Sequence, residues 1–231
     1  MAASCGRAPR GAIDREMAAC VPADTVLLAG GDLDRLRAAP FYRAAAVPGL
    51  DAFAGASGLM VVWNGKELLF IARGKFADAP MGGTLIDSSL AVAGAPEAVR
   101  AAIAQHRTGR TGASELLERA EAIAAGRQVW AVAQGGGGWP LTGNAANLNR
   151  LLRLTDFVTM GATLTDRADL EIVGRCPTPD RARQLEETSR AMLSLASAAG
   201  IRLDSVQVRR EDLAVHVTLS ADAQAVGKLL R

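Results

Sequence analysis

The chain runs through one order of predicted elements twice, and the second copy begins near Arg127. In the first copy an apolar run at 25–30 leads through Gly-Gly-Asp into a helical pattern that starts after Asp32. In the second copy a matching run at 128–133 leads through four glycines into a helical pattern over 144–154. Two hairpin-like runs then follow each opening. A repeated order of this kind predicts two similar structural modules.

The pairs of apolar runs predict antiparallel strands within each module. The clearest pair flanks Asn64-Gly65, a dipeptide that supplies the positive φ angles of a tight hairpin turn. We predict an α+β fold with two structurally similar halves, each a mainly antiparallel sheet with helices packed on one face. The sequence leaves open whether the two halves share one sheet.

The module boundaries follow from composition and turn signals. We expect a disordered N-terminal tail over 1–20, in which 13–20 can form one helical turn or two. The first α+β module then spans 21–126 and the second spans 127–231. Short α-helices are predicted after Asp32 and Pro40, with longer ones from Pro96 and Ser114 in the first module.

The clearest helix of the second module is predicted from Pro179 to about Ala199, with Thr178 as its N-cap. Its apolar positions recur at helical spacing and predict one continuous stripe facing the core. That stripe consists of Ala182, Leu185, Met192, Leu193, Ala196 and Ala199.

Charge and hydropathy argue against two classes of partner. The 231-residue chain has a formal net charge of +2, and no basic excess is concentrated in one segment as nucleic-acid binding requires. No apolar stretch reaches 18 residues, so no membrane-spanning segment is predicted. Nucleic acid is therefore not an expected partner, and a membrane is expected only through a lipid anchor.

Neither a metal nor a cofactor is predicted. The three cysteines have no metal-ligand spacing, and neither His106 nor His216 has a second ligand at a suitable distance along the chain. No serine stands in a nucleophile elbow. The sequence therefore offers no catalytic residue that we can name.

The glycine run 135–138 is the feature most suggestive of a binding site, because glycine-rich turns between strand and helix can cradle phosphate. A dinucleotide fingerprint would need glycine where Pro140 stands. We therefore expect a loop that presents Trp139 to a partner, while the alternative is that Trp139 folds back onto the sheet. The candidate binding residues in this loop are Gly136, Gly137, Trp139 and Asn144.

Arg209 is the remaining candidate binding residue. It could converge with arginines of the neighbouring segments into an anion-binding patch, formed by Arg181, Arg183, Arg190, Arg202 and Arg210. Acidic residues lie among these arginines, so a network of exposed ion pairs is the competing interpretation.

Two sequence segments resemble segments of known bacterial proteins. The segment 21–36 with its echo near Gln128, together with Ala2-Ala-Ser-Cys5, looks like uncharacterised bacterial exported proteins and lipoproteins that carry duplicated α+β modules. The resemblance implies a location in the periplasm or outer envelope, with Cys5 as the lipid-bearing residue. A cytoplasmic protein with a small-residue start is the alternative.

Duplication without a catalytic set favours a binding role. We expect a non-enzymatic, envelope-associated protein that binds a protein partner or a small ligand in a groove between the modules. The alternative is a hydrolase or transferase whose carboxylates and arginines converge only in the fold. A structural protein that assembles through a sheet edge is a third hypothesis, which the charges over 205–210 weaken.

Overall fold

The computed structural model describes residues 13–45, 49–137, 146–223 and 225, and these build one ten-stranded antiparallel sheet. The strand order is β4-β5-β3-β2-β1-β6-β7-β8-β10-β9. The strands are β1 (Leu27–Asp32), β2 (Ala56–Trp63), β3 (Leu68–Gly74), β4 (Thr84–Asp87), β5 (Leu90–Gly94), β6 (Val129–Gln134), β7 (Phe157–Leu164), β8 (Ala168–Arg175), β9 (Ser205–Glu211) and β10 (Ala214–Ala221). The α+β class and antiparallel pairing predicted from the sequence are confirmed, and both predicted modules contribute to the same sheet.

The two predicted modules meet at the centre of the sheet, where β1 pairs with β6. Outward from this seam the order is first, second, third, fifth and fourth strand in each half. The alignment that matches residue 25 with residue 128 makes the seam symmetric. Leu27 pairs with Ala133, the counterpart of Gly30, while Gly30 pairs with Trp130, the counterpart of Leu27.

The hairpin predicted at Asn64-Gly65 forms between β2 and β3. In the first hairpin the Asn64 side-chain oxygen accepts hydrogen bonds from the backbone N–H groups of Lys66 and Glu67, at 3.0 and 2.9 Å. Gly65 follows with a φ of 97°, in the left-handed region that glycine tolerates. The local side chain thus fixes the turn between β2 and β3.

Helices occupy both halves of the chain. They are α1 (Arg15–Ala19), α2 (Leu33–Ala38), α3 (Pro40–Ala45), α4 (Pro96–Arg107), α5 (Ser114–Ala124), α6 (Ala146–Leu152) and α7 (Pro179–Ala198), with 3₁₀ turns at Leu50–Phe53 and Pro80–Gly82. The predicted caps Asp32 and Thr178 accept backbone N–H groups of the first turns of α2 and α7. Helices α4 and α5 begin at the predicted residues Pro96 and Ser114.

Helices cover both faces of the first half of the sheet, which differs from the expected single covered face. On one face, α1, α4 and α5 pack on alternate strand residues such as Met60 and Ile71. On the other, α2 and the Leu50–Phe53 turn pack on their neighbours Leu59 and Ala72. Successive strand residues point to opposite faces, so these nearly continuous apolar strands are buried from both sides.

In the second half, α6 and α7 lie on the face that α2 covers in the first half. On β8, β10 and β9 the alternate positions form a polar and largely exposed surface, as the cross-strand row Glu171, Thr218 and Gln207 illustrates. Nearer the seam, Trp130 and Val132 on the same face are buried under α5. Strand alternation therefore gives the outer three strands an apolar face under helices and a polar face toward solvent.

The N-terminal tail was predicted too long. Asp14 caps α1 by accepting the N–H groups of Glu16 and Met17 at 2.9 and 3.1 Å. Met17 is buried in the core beside the fully buried Cys20. Residues 13–20 therefore belong to the folded core, and 1–12 lie outside the described residues.

Candidate ligand-binding cavity

An apolar cavity of about 410 Å³ lies between the sheet and the helices of the second half. Its volume falls within the range of known small-molecule sites. Strands β6, β7, β8 and β10 form its floor, α6 and α7 form its walls, and β1 contributes one residue. The lining residues are Leu27, Ala131, Ala133, Leu151, Leu152, Thr155, Val158, Met160, Ile172, Gly174, Leu185, Ser189, Met192, Leu193, Val215, Val217 and Leu219.

The cavity floor is a direct result of strand alternation. Met160 pairs with Ile172, which pairs with Val217, so these three side chains form one apolar row across β7, β8 and β10. All three are partly exposed, so the cavity opens to solvent. Its position within the second half differs from the expected groove between the modules.

The lining of the cavity is almost entirely aliphatic. Every one of them is uncharged, and the polar side chains among them are Thr155 and Ser189. The Thr155 hydroxyl donates to the Leu152 carbonyl oxygen at 2.9 Å, so this polar atom is already satisfied. The lining residues provide no carboxylate, imidazole, amine or thiol to act as acid, base or nucleophile.

The apolar stripe of α7 packs on the core only in the N-terminal half of the helix, and the rest of the stripe lines the cavity. Ala182, Leu185 and Ser189 are buried near its N-terminal end. Met192 and Leu193 line the cavity instead and remain partly exposed. The predicted continuous core stripe is therefore wrong beyond Ser189, because the second half of the helix faces open space rather than packed strand residues.

The glycine run begins against the α6 wall of the cavity. The Gly135 N–H donates to the Asp156 carbonyl oxygen at 2.7 Å, and the Gly136 N–H donates to that of Leu152 at 3.0 Å. A Cβ atom on Gly135 would lie 1.9 Å from the Thr155 carbonyl oxygen, so the close backbone approach requires glycine there. These contacts hold α6 in place beside the cavity.

The predicted ligand contacts of this loop remain predictions. Gly136 and Gly137 are exposed or partly exposed at the end of β6. Trp139 and Asn144 lie outside the described residues, as does the lipidation candidate Cys5.

A second, more polar depression adjoins the cavity, and we call it the β9 groove. It lies between the C-terminal half of α7 and strand β9, with residues 200–204 at its end. It is lined by Arg190, Leu193, Ser194, Ser197, Gly200, Ile201, Arg202, Leu203, Asp204, Val206, Gln207, Val208 and Arg209. Leu193 lines both the groove and the apolar cavity, so the two spaces are adjacent.

The groove brings together three of the predicted arginines, Arg190, Arg202 and Arg209. Arg190 forms an ion pair with Glu186 at 2.8 Å and also donates to the Val208 carbonyl oxygen at 3.0 Å. Arg209 forms an ion pair with Glu211 at 3.0 Å. Arg202 has no ion pair or hydrogen bond with any residue that the structure describes.

The remaining predicted arginines are held outside the groove lining. Arg210 shares Glu186 with Arg190, Arg183 pairs with Asp180, and Arg181 donates to the Arg153 carbonyl oxygen. The ion-pair interpretation therefore describes Arg183, Arg190, Arg209 and Arg210. Arg181 bonds to a backbone carbonyl oxygen, and Arg202 is the groove arginine without a partner among the described residues.

Carboxylates and arginines also meet in a cleft of about 270 Å³ at the C-terminal end of β1. Asp14 caps α1 and forms an ion pair with Arg73 at 3.4 Å. Asp32 caps α2, and Arg127 pairs with Glu171 at 2.6 Å. These groups have structural tasks in the fold, and a hydrolase or transferase site formed from them stays a prediction.

The two described cysteines are buried and free. Burial, together with the nearby Glu16 and Asp14 carboxylates, raises the pKa of the Cys20 thiol to about 12. Burial likewise raises the pKa of Cys176. Both side chains are therefore neutral core residues at physiological pH, and the described ranges hold no group of three or more metal-ligating side chains.

The helices of the described ranges are too short or too polar to cross a lipid bilayer.

Sequence reasoning missed the cavity because its lining residues come from seven elements of secondary structure that are spread along the chain. The one local signal lies in α7, where apolar residues continue beyond Ser189, the last residue of the helix that is buried. Leu195, on the same helix, is 69% exposed. An apolar excess on the solvent side of a helix indicates a surface with another use.

Comparisons with known proteins support the fold alone. No protein-family model and no curated protein matches the chain. Among solved structures, crystal form I of TP0453 matches with a TM-score of 0.52 and 6% sequence identity, over 95% of this chain and 97% of that chain. The likeness therefore extends across both halves of the α+β sheet without identifying a family or an activity.

Proposed function

We propose that this protein is a non-enzymatic binding protein for a small aliphatic ligand, held in the apolar cavity of a duplicated α+β scaffold. The observation that carries the proposal is the cavity itself, about 410 Å³ in volume and lined almost entirely by aliphatic side chains. Protein interiors are normally close-packed, with few voids larger than a water molecule.

An aliphatic ligand suits this space better than water does. A stable buried water needs two to four polar partners. The lining offers two hydroxyl groups, and that of Thr155 already donates to the Leu152 carbonyl oxygen. Transfer of a methylene group from water into such a site gains about 0.8 kcal/mol. Each additional methylene is therefore expected to tighten binding about fourfold until the cavity is filled.

Calorimetric titration with uncharged 1-alkanols tests the proposal. We expect the dissociation constant to fall roughly 15-fold from 1-octanol to 1-decanol, because two methylenes are added. Failure of both alkanols to bind, or equal affinity for the two, would overturn the assignment of the cavity.

A pair of variants on β10 locates the binding site. Val217→Phe places a larger side chain in the cavity floor and is expected to weaken 1-decanol binding at least tenfold. Thr218→Phe makes a similar addition on the opposite, exposed face of the same strand and is expected to leave affinity unchanged. Equal losses in both variants would place the ligand elsewhere.

We further propose that the protein acts in the cell envelope, attached through a lipid on Cys5. The support is the Ala2-Ala-Ser-Cys5 phrase and its resemblance to bacterial lipoprotein junctions. Metabolic labelling of the full-length gene product with radioactive palmitate is expected to label the wild-type chain and not Cys5→Ser. An unlabelled wild-type protein in the soluble cytoplasmic fraction would refute this location.

A further inference from the structure

We infer that the ligand is a fatty acid, with its single chain in the apolar cavity and its carboxylate bound by Arg202 in the β9 groove. This inference rests on the proposed function, because it assigns a chemical class to the ligand of the same cavity. Three observations carry it: a continuous apolar floor, a shared wall residue and one uncompensated positive charge.

The apolar floor continues from the cavity into the groove without a break. Ile172 on β8 pairs with Val217 on β10, and Val217 pairs with Val208 on β9. Directly paired residues of neighbouring strands point to the same face of the sheet. Ile172 and Val217 line the cavity while Val208 lines the groove, so an extended chain can lie across both.

The helix side of the two spaces is continuous as well. Leu193 on α7 lines both the cavity and the groove. The next residue, Ser194, lines only the groove and turns its hydroxyl back to the Arg190 carbonyl oxygen at 2.9 Å. The surroundings therefore change from aliphatic to polar within one turn of α7, as an amphiphile requires of its site.

The charge of the groove selects a head group with one negative charge. Arg190 and Arg209 are paired with Glu186 and Glu211, and Asp204 is paired with Arg167 at 3.6 Å. These pairs leave Arg202 as the groove cation without a partner among the described residues. A carboxylate carries one charge and matches the planar guanidinium, whereas a phosphate monoester carries nearly two.

The volume of the cavity favours one chain over two. About 410 Å³ lies toward the lower end of the range for small-molecule pockets. A diacyl lipid would need space for a second chain, and the adjoining groove is lined by arginines and serines.

Comparison of dodecanoate with 1-dodecanol tests the assignment, because the two ligands share a chain length and differ in charge. Calorimetry at pH 7.5 and low salt, below the critical micelle concentration, is expected to show dodecanoate binding roughly two- to fivefold more tightly, as for other exposed ion pairs. The preference is expected to shrink as salt screens the charge.

Arg202→Gln is expected to abolish the preference while leaving 1-dodecanol binding unchanged. Arg209→Gln removes the same charge from a β9 arginine that already has a partner, so it is the matched control and is expected to retain the preference. Loss of the preference in Arg209→Gln, or its survival in Arg202→Gln, would overturn the role of Arg202.

The outcomes separate this inference from the proposed function. Equal binding of dodecanoate and 1-dodecanol to the wild-type protein would refute the carboxylate site and leave the aliphatic cavity standing. Tighter binding of dodecyl phosphate than of dodecanoate would replace the fatty acid with a phosphate-bearing amphiphile. Absence of binding by all three ligands would refute the cavity assignment itself.

Discussion

Enlargement of Ala131 on β6 is expected to stabilise the ligand-free protein and to weaken ligand binding. Ala131 lines the apolar cavity and lies between Ala29 on β1 and Met160 on β7 in the sheet. Leucine at this position adds three carbon atoms that point into open space. Most enlargements in a protein core have the opposite effect on stability, because the space is already filled.

The expected gain follows from the area removed from water. Three added carbons at about 0.8 kcal/mol each set an upper limit of about 2.4 kcal/mol for Ala131→Leu. Fixing the leucine rotamer costs about 0.5–1 kcal/mol. Because Ala131 is partly exposed, some of the added surface stays in water, so we expect a net gain of about 1 kcal/mol.

Urea unfolding followed by far-UV circular dichroism measures this gain. With an m value of roughly 2–3 kcal/mol/M, a change of about 1 kcal/mol raises the midpoint by about 0.3–0.5 M. The matched control is Ala93→Leu on β5. Ala93 is buried, and Gly83 packs so closely on it that a Cβ atom added to Gly83 would lie only 2.7 Å from the Ala93 Cβ atom. We expect this control to lose about 1–3 kcal/mol.

Ligand gives an independent readout on the same variants. At 100 times its dissociation constant, 1-decanol is expected to stabilise the wild-type protein by about 2.7 kcal/mol. The added stability should be much smaller in Ala131→Leu, since the side chain occupies the space of the ligand. A midpoint for Ala131→Leu as low as that of Ala93→Leu would show that the cavity is not open, and the reasoning would fail.

Three further predictions concern the scaffold. Asp32→Ala removes the cap of α2 and is expected to cost about 1 kcal/mol by urea unfolding, whereas Asp34→Ala, two residues later in the first turn, should cost clearly less. Gly135→Ala forces a Cβ atom against the Thr155 carbonyl oxygen; we expect a lowered urea midpoint together with weaker 1-decanol binding, and an unchanged midpoint would contradict the tight approach. Because the pKa of the Cys20 thiol is raised, its contribution to stability is complete below pH 9.0 and is lost between pH 9.0 and about 12, by about 1.4 kcal/mol per pH unit. Urea midpoints from pH 8 to 10.5 should therefore fall more steeply for the wild-type protein than for Cys20→Ala, and equal slopes would refute this assignment.

Local signals predicted most of the secondary structure, because they act over a few residues. The Asn64-Gly65 turn, the Asp32 and Thr178 caps and the strands of both halves all depend on neighbours in the sequence. The N-terminal segment is the exception. Its short amphipathic pattern gives little local signal, and only the contact of Met17 and Cys20 with the core reveals that it is folded.

The candidate site depends on contacts that no local pattern specifies. The sequence predicted α7 and its apolar stripe. The distance between the helix and the sheet, which no local pattern specifies, decides whether Met192 packs on a strand or lines the cavity. The arginines were identified, but their partners determine which charge is free. Arg202 is distinguished from Arg209 only when Glu211 is placed beside the latter.

The seam between β1 and β6 has a consequence for the history of this architecture. Under the alignment that matches residue 25 with residue 128, Leu27 lies opposite the counterpart of Gly30, and Gly30 lies opposite the counterpart of Leu27. Two identical subunits around a twofold axis adopt the same arrangement. A single module would form the same ten strands as a homodimer, so the fusion of two copies accounts for this arrangement. Divergence after fusion accounts for the difference between the halves, because helices pack on both faces of the first half and the apolar cavity lies in the second.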